Sequence, residues 1–309
     1  MTHARTLWLL AVATALAARA DDVPRVPARE TVEDAYPGLV SGMLAVAELG
    51  SAPEGVLVQA DGFQYTARQL EYVLANSPAN VRAQLRKNAV YLLDEAVTRK
   101  LLFVVAKEAA AKAGKDIGRK SETEVVNEYL DGVATDVTVT DDEVTRFYEE
   151  NTEMFGGAKL RSIRKRLTDF VRDRKRREAW DKHLQQLAEA RHLVVSAPWV
   201  KEHAALARGN PADRARASGR PSVVDFGADG CRSCEKMKPI LAALKEKYAG
   251  RVNIVFVHAR QETVLATRYR IRSIPTQIFY DKSGKEVFRH TGYFSQRSIE
   301  RKLREMGVQ

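Results

Sequence analysis

The chain of 309 residues holds two cysteines, and they stand three apart as Cys231-Arg-Ser-Cys234. Their surroundings constrain the C-terminal part more than any other feature. Pro221-Ser-Val-Val-Asp225-Phe226 is a short apolar strand carrying one acid. After the pair, Met237, Ile240, Leu241 and Leu244 recur at helical spacing. The cysteines therefore fall where a strand gives way to a helix. A strand is expected at 252–257, a short helix at 263–269, a strand at 276–280, a turn at Asp281-Lys-Ser-Gly284, a strand at 286–290 and a helix at 295–306. Such an alternation, closed by a hairpin and a helix, is an α/β sandwich.

At a helix N-terminus, unpaired amides and the helix dipole favour the thiolate, which is the attacking species in disulfide exchange. Cys231 occupies that position, and Arg232, Lys236 and Lys238 add positive charge nearby. Cys234, one turn further in, is placed to attack the mixed disulfide that results. Exported proteins stabilised by disulfides usually carry several cysteines spread along the chain, so this spacing points to chemistry. A lone CxxC leaves two other readings open: a non-enzymatic chaperone keeping an idle scaffold, and a metal-handling pair. There is no second CxxC, and the six histidines (3, 183, 192, 203, 258 and 290) are scattered, so no metal site is expected. No cofactor is expected beyond the Cys231–Cys234 redox couple itself.

The N-terminus has a basic start, an apolar stretch from Leu7 to Ala18 and an Ala18-Arg19-Ala20 site. These are the parts of a secretory signal peptide (1–20), cleaved after Ala20, and they imply export to the periplasm. An uncleaved N-terminal anchor is the alternative. Net charge is +10 and the pI about 9.5. Without a zinc finger or an RNA-binding signature, that charge does not amount to a nucleic-acid partner.

Residues 21–55, rich in Pro and Gly, read as a leader or linker. Val56–Tyr65 reads as a hairpin turning at Asp61-Gly62. Thr66 with Gln69, Ser121 with Glu124 and Thr140 with Glu143 fit capping boxes that open helices. Val81, Leu85, Ala89, Leu92, Ala96 and Leu101 mark a buried helix face. The basic run from Arg161 to Lys182 is threaded by Ile163, Leu167 and Val171 and continues through Trp180 and Leu184. It reads as one long amphipathic helix with a solvated charged side, a surface for an acidic partner or anionic lipid being the alternative. Residues 196–218 are irregular and rich in turn formers, and they read as a linker.

Residues 219–309 resemble a thioredoxin. The likeness rests on Val-Asp225-Phe, the CxxC, Pro239, Arg272-Ser-Ile-Pro-Thr276, Lys282-Ser-Gly284 and Gly292. It implies a thioredoxin fold and thiol–disulfide oxidoreductase activity. By the same resemblance Pro275 is a cis-proline facing the disulfide and Asp225 relays a proton for Cys234. Ile274, Gly230 and Gly292 line the substrate surface, and Arg232 and Ser233 tune the potential. Three positions depart from the family: Gly227 and Gly230 stand where tryptophan is common, and Phe256 where cytosolic members have a lysine. The Arg232-Ser233 pair is not the Gly-Pro of a strong reductant. The Val-Asp-Phe and Ile-Pro-Thr motifs nonetheless favour a reductase over a DsbA-type oxidant, with electrons supplied by a membrane carrier of the DsbD/CcdA kind.

Residues 56–195 resemble the helical N-terminal domain of SurA/PrsA/PpiD-type exported chaperones. The residues carrying this are the hairpin and capped helix at 56–70, the segment Leu85–Leu102 and Val139–Asn151. That likeness implies a surface for unfolded or disulfide-bearing exported proteins. Met154-Phe-Gly-Gly157 leads almost directly into the basic helix, leaving no room for a parvulin domain, so isomerase activity is not implied. The expected protein has two domains, a mainly α-helical SurA-like one and an α/β thioredoxin fold.

Overall fold

Local capping decides where half of the helices of the N-terminal half begin. In the computed structural model, which describes residues 30–309, Thr66, Ser121 and Thr140 each accept from the backbone three residues on, and Gln69, Glu124 and Glu143 reach back. The expected signal peptide and the start of the expected leader lie outside the described residues. In chain order the first half comprises α1 (Val32–Ala35), β1 (Glu48–Gly50), β2 (Val56–Ala60), β3 (Phe63–Thr66), α2 (Ala67–Ala75), α3 (Ala79–Lys87), α4 (Ala89–Lys112), α5 (Glu122–Val133), α6 (Asp141–Glu150), α7 (Leu160–Ala190), β4 (Val194–Ser196) and α8 (Ala197–Ala207). The hairpin β2–β3 turns at Gly62, whose φ of 72° suits a residue without a side chain. The 24-residue α4 has no polar side along its first turns, because Ala89 to Asp94 are all buried. It is the axis of this domain rather than a surface helix.

One expectation fails here: from residue 30 on, the expected leader or linker is part of the folded domain. Val32, Leu39, Met43 and Leu44 are buried in the same core as Leu93, Val97 and Leu101. The cause is Asp94, fully buried on α4, which accepts from the backbone N–H groups of Ser41 (3.2 Å), Gly42 (2.7 Å) and Leu44 (2.9 Å). A Cβ on Gly42 would come within 2.7 Å of that carboxylate, so only glycine passes so close. The domain is mainly helical, as expected, and β4 and β1 extend its hairpin into a sheet of order β1, β4, β2, β3, with β1 parallel to β4.

The basic helix α7 is 31 residues long, about 46 Å at 1.5 Å per residue. Its buried side is Ile163, Leu167, Val171 and Ala188. Its charged side is less free than expected: Arg164 pairs with Asp141, Lys175 with Glu143 and Arg176 with Asp131.

The expected linker at 196–218 is two helices. α8 buries Val200, Ala204 and Ala207 in the N-terminal core, while α9 (Pro211–Arg216) buries Ala212 and Ala215 against Phe226 and Ile278 of the second domain. Small apolar side chains at helical spacing disguise both as irregular sequence. The second domain therefore starts near residue 210, not 219. It continues with β5 (Ser222–Gly227), α10 (Arg232–Lys247), β6 (Asn253–His258), α11 (Thr263–Arg268), β7 (Thr276–Tyr280), β8 (Glu286–Thr291) and α12 (Gln296–Glu305). The sheet order is β6-β5-β7-β8, with β5 parallel to β6 and antiparallel to β7. Apolar clusters fill both faces.

The domains are tied by a buried knot. Arg268 of α11 pairs with Asp213 and donates to Asn88 Oδ1 at the α3–α4 break (3.2 Å) and to the Ala207 carbonyl (3.4 Å). Tyr269 donates its hydroxyl to Asp213 (2.8 Å). Gln84 of α3 bridges to Gln261 O (2.7 Å) and Val264 N (3.1 Å).

Candidate functional site

Strand β5 is buried along its whole length and ends at Gly227, so the turn after it rises from the core to the surface in a few residues. Gly230, with φ 72° and open space around it, completes that turn beside the cysteines. Cys231 is the N-cap of α10, and Cys234 N–H donates to its sulfur at 3.3 Å. Reduced, the same donor and the helix dipole would hold a thiolate there. The two cysteines are joined in a disulfide, their Cα atoms 5.2 Å apart. Cys231 is half-exposed, whereas Cys234 is 2% exposed. Only the first sulfur is open to an incoming chain.

The Ile274–Pro275 peptide bond is cis, and the Ile274 carbonyl lies 3.9 Å from Cys231 Sγ. Gly292 stands behind the cis-proline. Its N–H donates to the Pro275 carbonyl (2.8 Å) and braces the loop from the end of β8. Arg232 is exposed beside Cys231, and Ser233 is half-buried. Lys238 does not act as free positive charge: it pairs with Glu235 (2.8 Å) and Asp229 (3.1 Å).

Beneath the disulfide lies Asp225. Its Oδ1 accepts from Gln277 Nε2 at 2.7 Å, across the β5–β7 register that sets these residues opposite each other. Its Oδ2 has no hydrogen-bond donor. Burial pushes this carboxyl up to about 6, with the Gln277 hydrogen bond working the other way. A Cβ on Gly227 would lie 3.4 Å from Asp225 Oδ2, 3.5 Å from Cys234 Cβ and 2.8 Å from the Phe256 ring. Gly227 is thus the floor of a small space that the carboxylate, Cys234 and Phe256 close from three sides. A larger residue at 227 would have to displace the Phe256 ring. The structure therefore brings together Cys231, Cys234, Asp225, Ile274, Pro275, Gly230 and Phe256. Gln277 was not singled out from the sequence, although an acid and an amide facing each other across two apolar strands is a readable signal.

A strand-to-helix turn that carries an exposed and a buried cysteine, faced by a cis-proline loop and floored by an acid, defines a domain of the thiol–disulfide oxidoreductase class. The family description "Thioredoxin-like domain" matches residues 210–307, a start in agreement with α9. A thioredoxin-like protein of Synechocystis sp. is 32% identical over 83 residues, 27% of this chain and 78% of that protein. The chain belongs to the thioredoxin-like family. A thiol:disulfide interchange protein TxlA homolog of Synechocystis sp. is 35% identical over 98 residues, 31% of this chain and 54% of its own length. Chloroplastic thioredoxin Y of Oryza sativa subsp. japonica is 37% identical over 75 residues, 24% of this chain and 44% of its own length. The chain spans about half the length of these last two relatives.

Proposed function

We propose that the protein is an exported thiol–disulfide oxidoreductase that reduces disulfides in other exported polypeptides. The observation carrying this is the asymmetry of the pair: Cys231 accessible beside the Ile274 carbonyl, Cys234 buried next to the undonated oxygen of Asp225. The Cys231 thiolate attacks a client disulfide, forming a Cys231–client bond and releasing one client thiolate. Cys234 gives its proton toward Asp225 and attacks the Cys231 sulfur. The client leaves as a dithiol, and two electrons have passed from the protein to it. A membrane carrier of the DsbD/CcdA kind returns them, since an exported reductant must receive electrons from across the membrane. The name of the TxlA homolog supports exchange chemistry, and the N-terminal Leu7–Ala20 pattern supports export.

Residues 56–195 hold the client, in the manner of the chaperone domain they resemble. An apolar hollow of about 170 Å³ among Phe147, Phe155, Ile163, Leu167 and Phe170 supports that part, with Phe170 45% exposed.

Insulin reduction tests the reaction. Cys231→Ser should abolish it, and Cys234→Ser should trap client adducts in the cell envelope. Adducts on Cys231→Ser instead would reverse the roles. Alkylation of the pair in growing cells tests the direction: a mostly oxidised couple would rule out a reductase.

A further inference from the structure

Between α7 and the thioredoxin domain runs a cleft with two contiguous cavities of about 690 and 870 Å³. Both are walled by Ser41, Arg177, Asp181, Arg270 and Arg272. The first meets, at Thr267, Ile271 and Arg272, a groove of about 270 Å³ that ends at Ser273 and Ile274. Ile274 is the residue whose carbonyl faces Cys231. Arg272 lies two residues before it, within about 7 Å along even an extended chain.

The charges in the cleft are unequally satisfied. Arg270 is spent on the architecture: it donates to Asp181 Oδ2 (2.7 Å) and to the Ser41 carbonyl (2.5 Å), clasping the two domains. Its φ of 55° is one a non-glycine residue adopts rarely, so the position keeps arginine against the backbone's preference. Of the six acids in the walls, Asp181 is used by Arg270, Glu178 pairs with Arg174, Glu286 pairs with Arg289 and Glu33 accepts from the Gly38 N–H (2.9 Å). Glu95 and Asp173 line the first cavity, and against these six acids stand nine arginines and lysines. Arg177 and Arg272 both line the two cavities and have no ion pair of their own among the described residues. Burial first, then the charges of Arg177 and Arg270, pull the Arg272 guanidinium below its ordinary value, with Asp181 opposing. Two like charges held together in a half-enclosed cleft favour an anionic occupant.

We propose that this cleft binds an extended, acidic segment of the client polypeptide, flanking the cysteine that docks at Ile274, through Arg177 and Arg272. The inference rests on the oxidoreductase reading and specifies its substrate class. The cleft exists only because the N-terminal domain supplies Arg177, so it gives the two-domain architecture a role in choosing clients.

The test measures binding of labelled peptides to the full chain, with serine in place of the client cysteine so that no exchange takes place. One peptide has Asp and Glu in the six or so positions flanking that serine, and the other has Asn and Gln. At about 0.01 M salt, where charges act over about 30 Å, the acidic peptide should bind about tenfold tighter. At about 1 M salt that preference should vanish. Arg177→Gln with Arg272→Gln should reduce it to below twofold, while Arg177→Lys with Arg272→Lys should keep most of it. No preference in the wild type, or full preference in the Gln variant, overturns the proposal. Reduction of a small-molecule disulfide by the same wild-type sample tests the oxidoreductase reading separately. A chain that prefers the acidic peptide but reduces nothing would refute that reading while leaving the cleft intact.

Discussion

Asp94 and Asp225 are both acids buried in apolar cores, and burial pushes each carboxyl up to about 6, yet their surroundings are opposite. Asp94 accepts from three backbone amides and holds a distant segment of chain onto α4. Asp225 accepts from one side-chain amide, and its second oxygen has no donor and looks toward Gly227 and Cys234. A fully donated carboxylate is a fastening. A half-donated one beside a thiol has capacity left to take a proton. Desolvation alone does not distinguish the two roles; the count of donors does.

The contrast breaks most readily at Asp94. Asp94→Ala leaves three inward-facing amides without an acceptor and should cost about 3 kcal/mol or more in urea unfolding. Exchange activity per folded molecule should be intact. A loss below about 1 kcal/mol would mean that apolar packing alone holds residues 39–46 in place.

Asp225→Asn should act in the reverse sense. Above about pH 6 the buried carboxylate is ionised and can accept the Cys234 proton, so the resolving step should speed up as pH rises through about 6. The Asn variant should lose that limb and resolve mixed disulfides about a hundredfold more slowly at pH 7. It should also be more stable than the wild type there. The folded protein holds this proton up to about 6, whereas the ordinary value for aspartate is 3.8, so stability falls as pH rises between the two. Removing the charge returns up to roughly 3 kcal/mol at pH 7. Equal unfolding midpoints for wild type and variant at pH 4 and pH 7 would break this half of the comparison.

Phe256→Lys sharpens the comparison by giving Asp225 a cation across the Gly227 floor. The carboxyl should fall below about 6, moving the acidic limb of the resolving step down by about one pH unit. An unmoved limb would show that Asp225 is not the titrating group. Gly227→Ala should have the smallest effect. The nearest atom to the new methyl is the edge of the 41% exposed Phe256 ring, which is free to turn outward, so stability should change by about 1 kcal/mol at most. A larger loss would place the ring's rigidity among the requirements of the site.

Local signals made much of this legible in advance. Capping boxes at Thr66, Ser121 and Thr140, the Asp61-Gly62 turn and the Cys231–Cys234 helix start each lie within a few residues of sequence. What escaped the sequence is what pairing across the chain decides. The hold of Asp94 on Ser41–Leu44 spans about fifty residues, and Arg268 reaches Asn88 across 180. Val194–Ser196 is three residues long, too short to declare itself a strand without its partners. Lys238 looked like a thiolate-stabilising charge until Asp229, brought close by the turn after β5, claimed it.

The parallel pairing of β1 with β4 sets Glu48 opposite Val194. A chain made or threaded from its N-terminus cannot close that sheet until nearly all of α7 and the residues after it have emerged. Through that interval β1 is held on one side only, by its bridge to Thr31 and the Leu49 N–H bond to the Glu30 carbonyl (2.9 Å), and the edge meant for β4 is open to other strands. By the time β4 arrives, α8 and then the Arg268 knot follow within one further domain's length, so the two halves should reach their native form in close succession rather than as separate events. A nascent chain halted before residue 194 should accordingly be protease-sensitive throughout, while one halted past 309 is resistant in both halves.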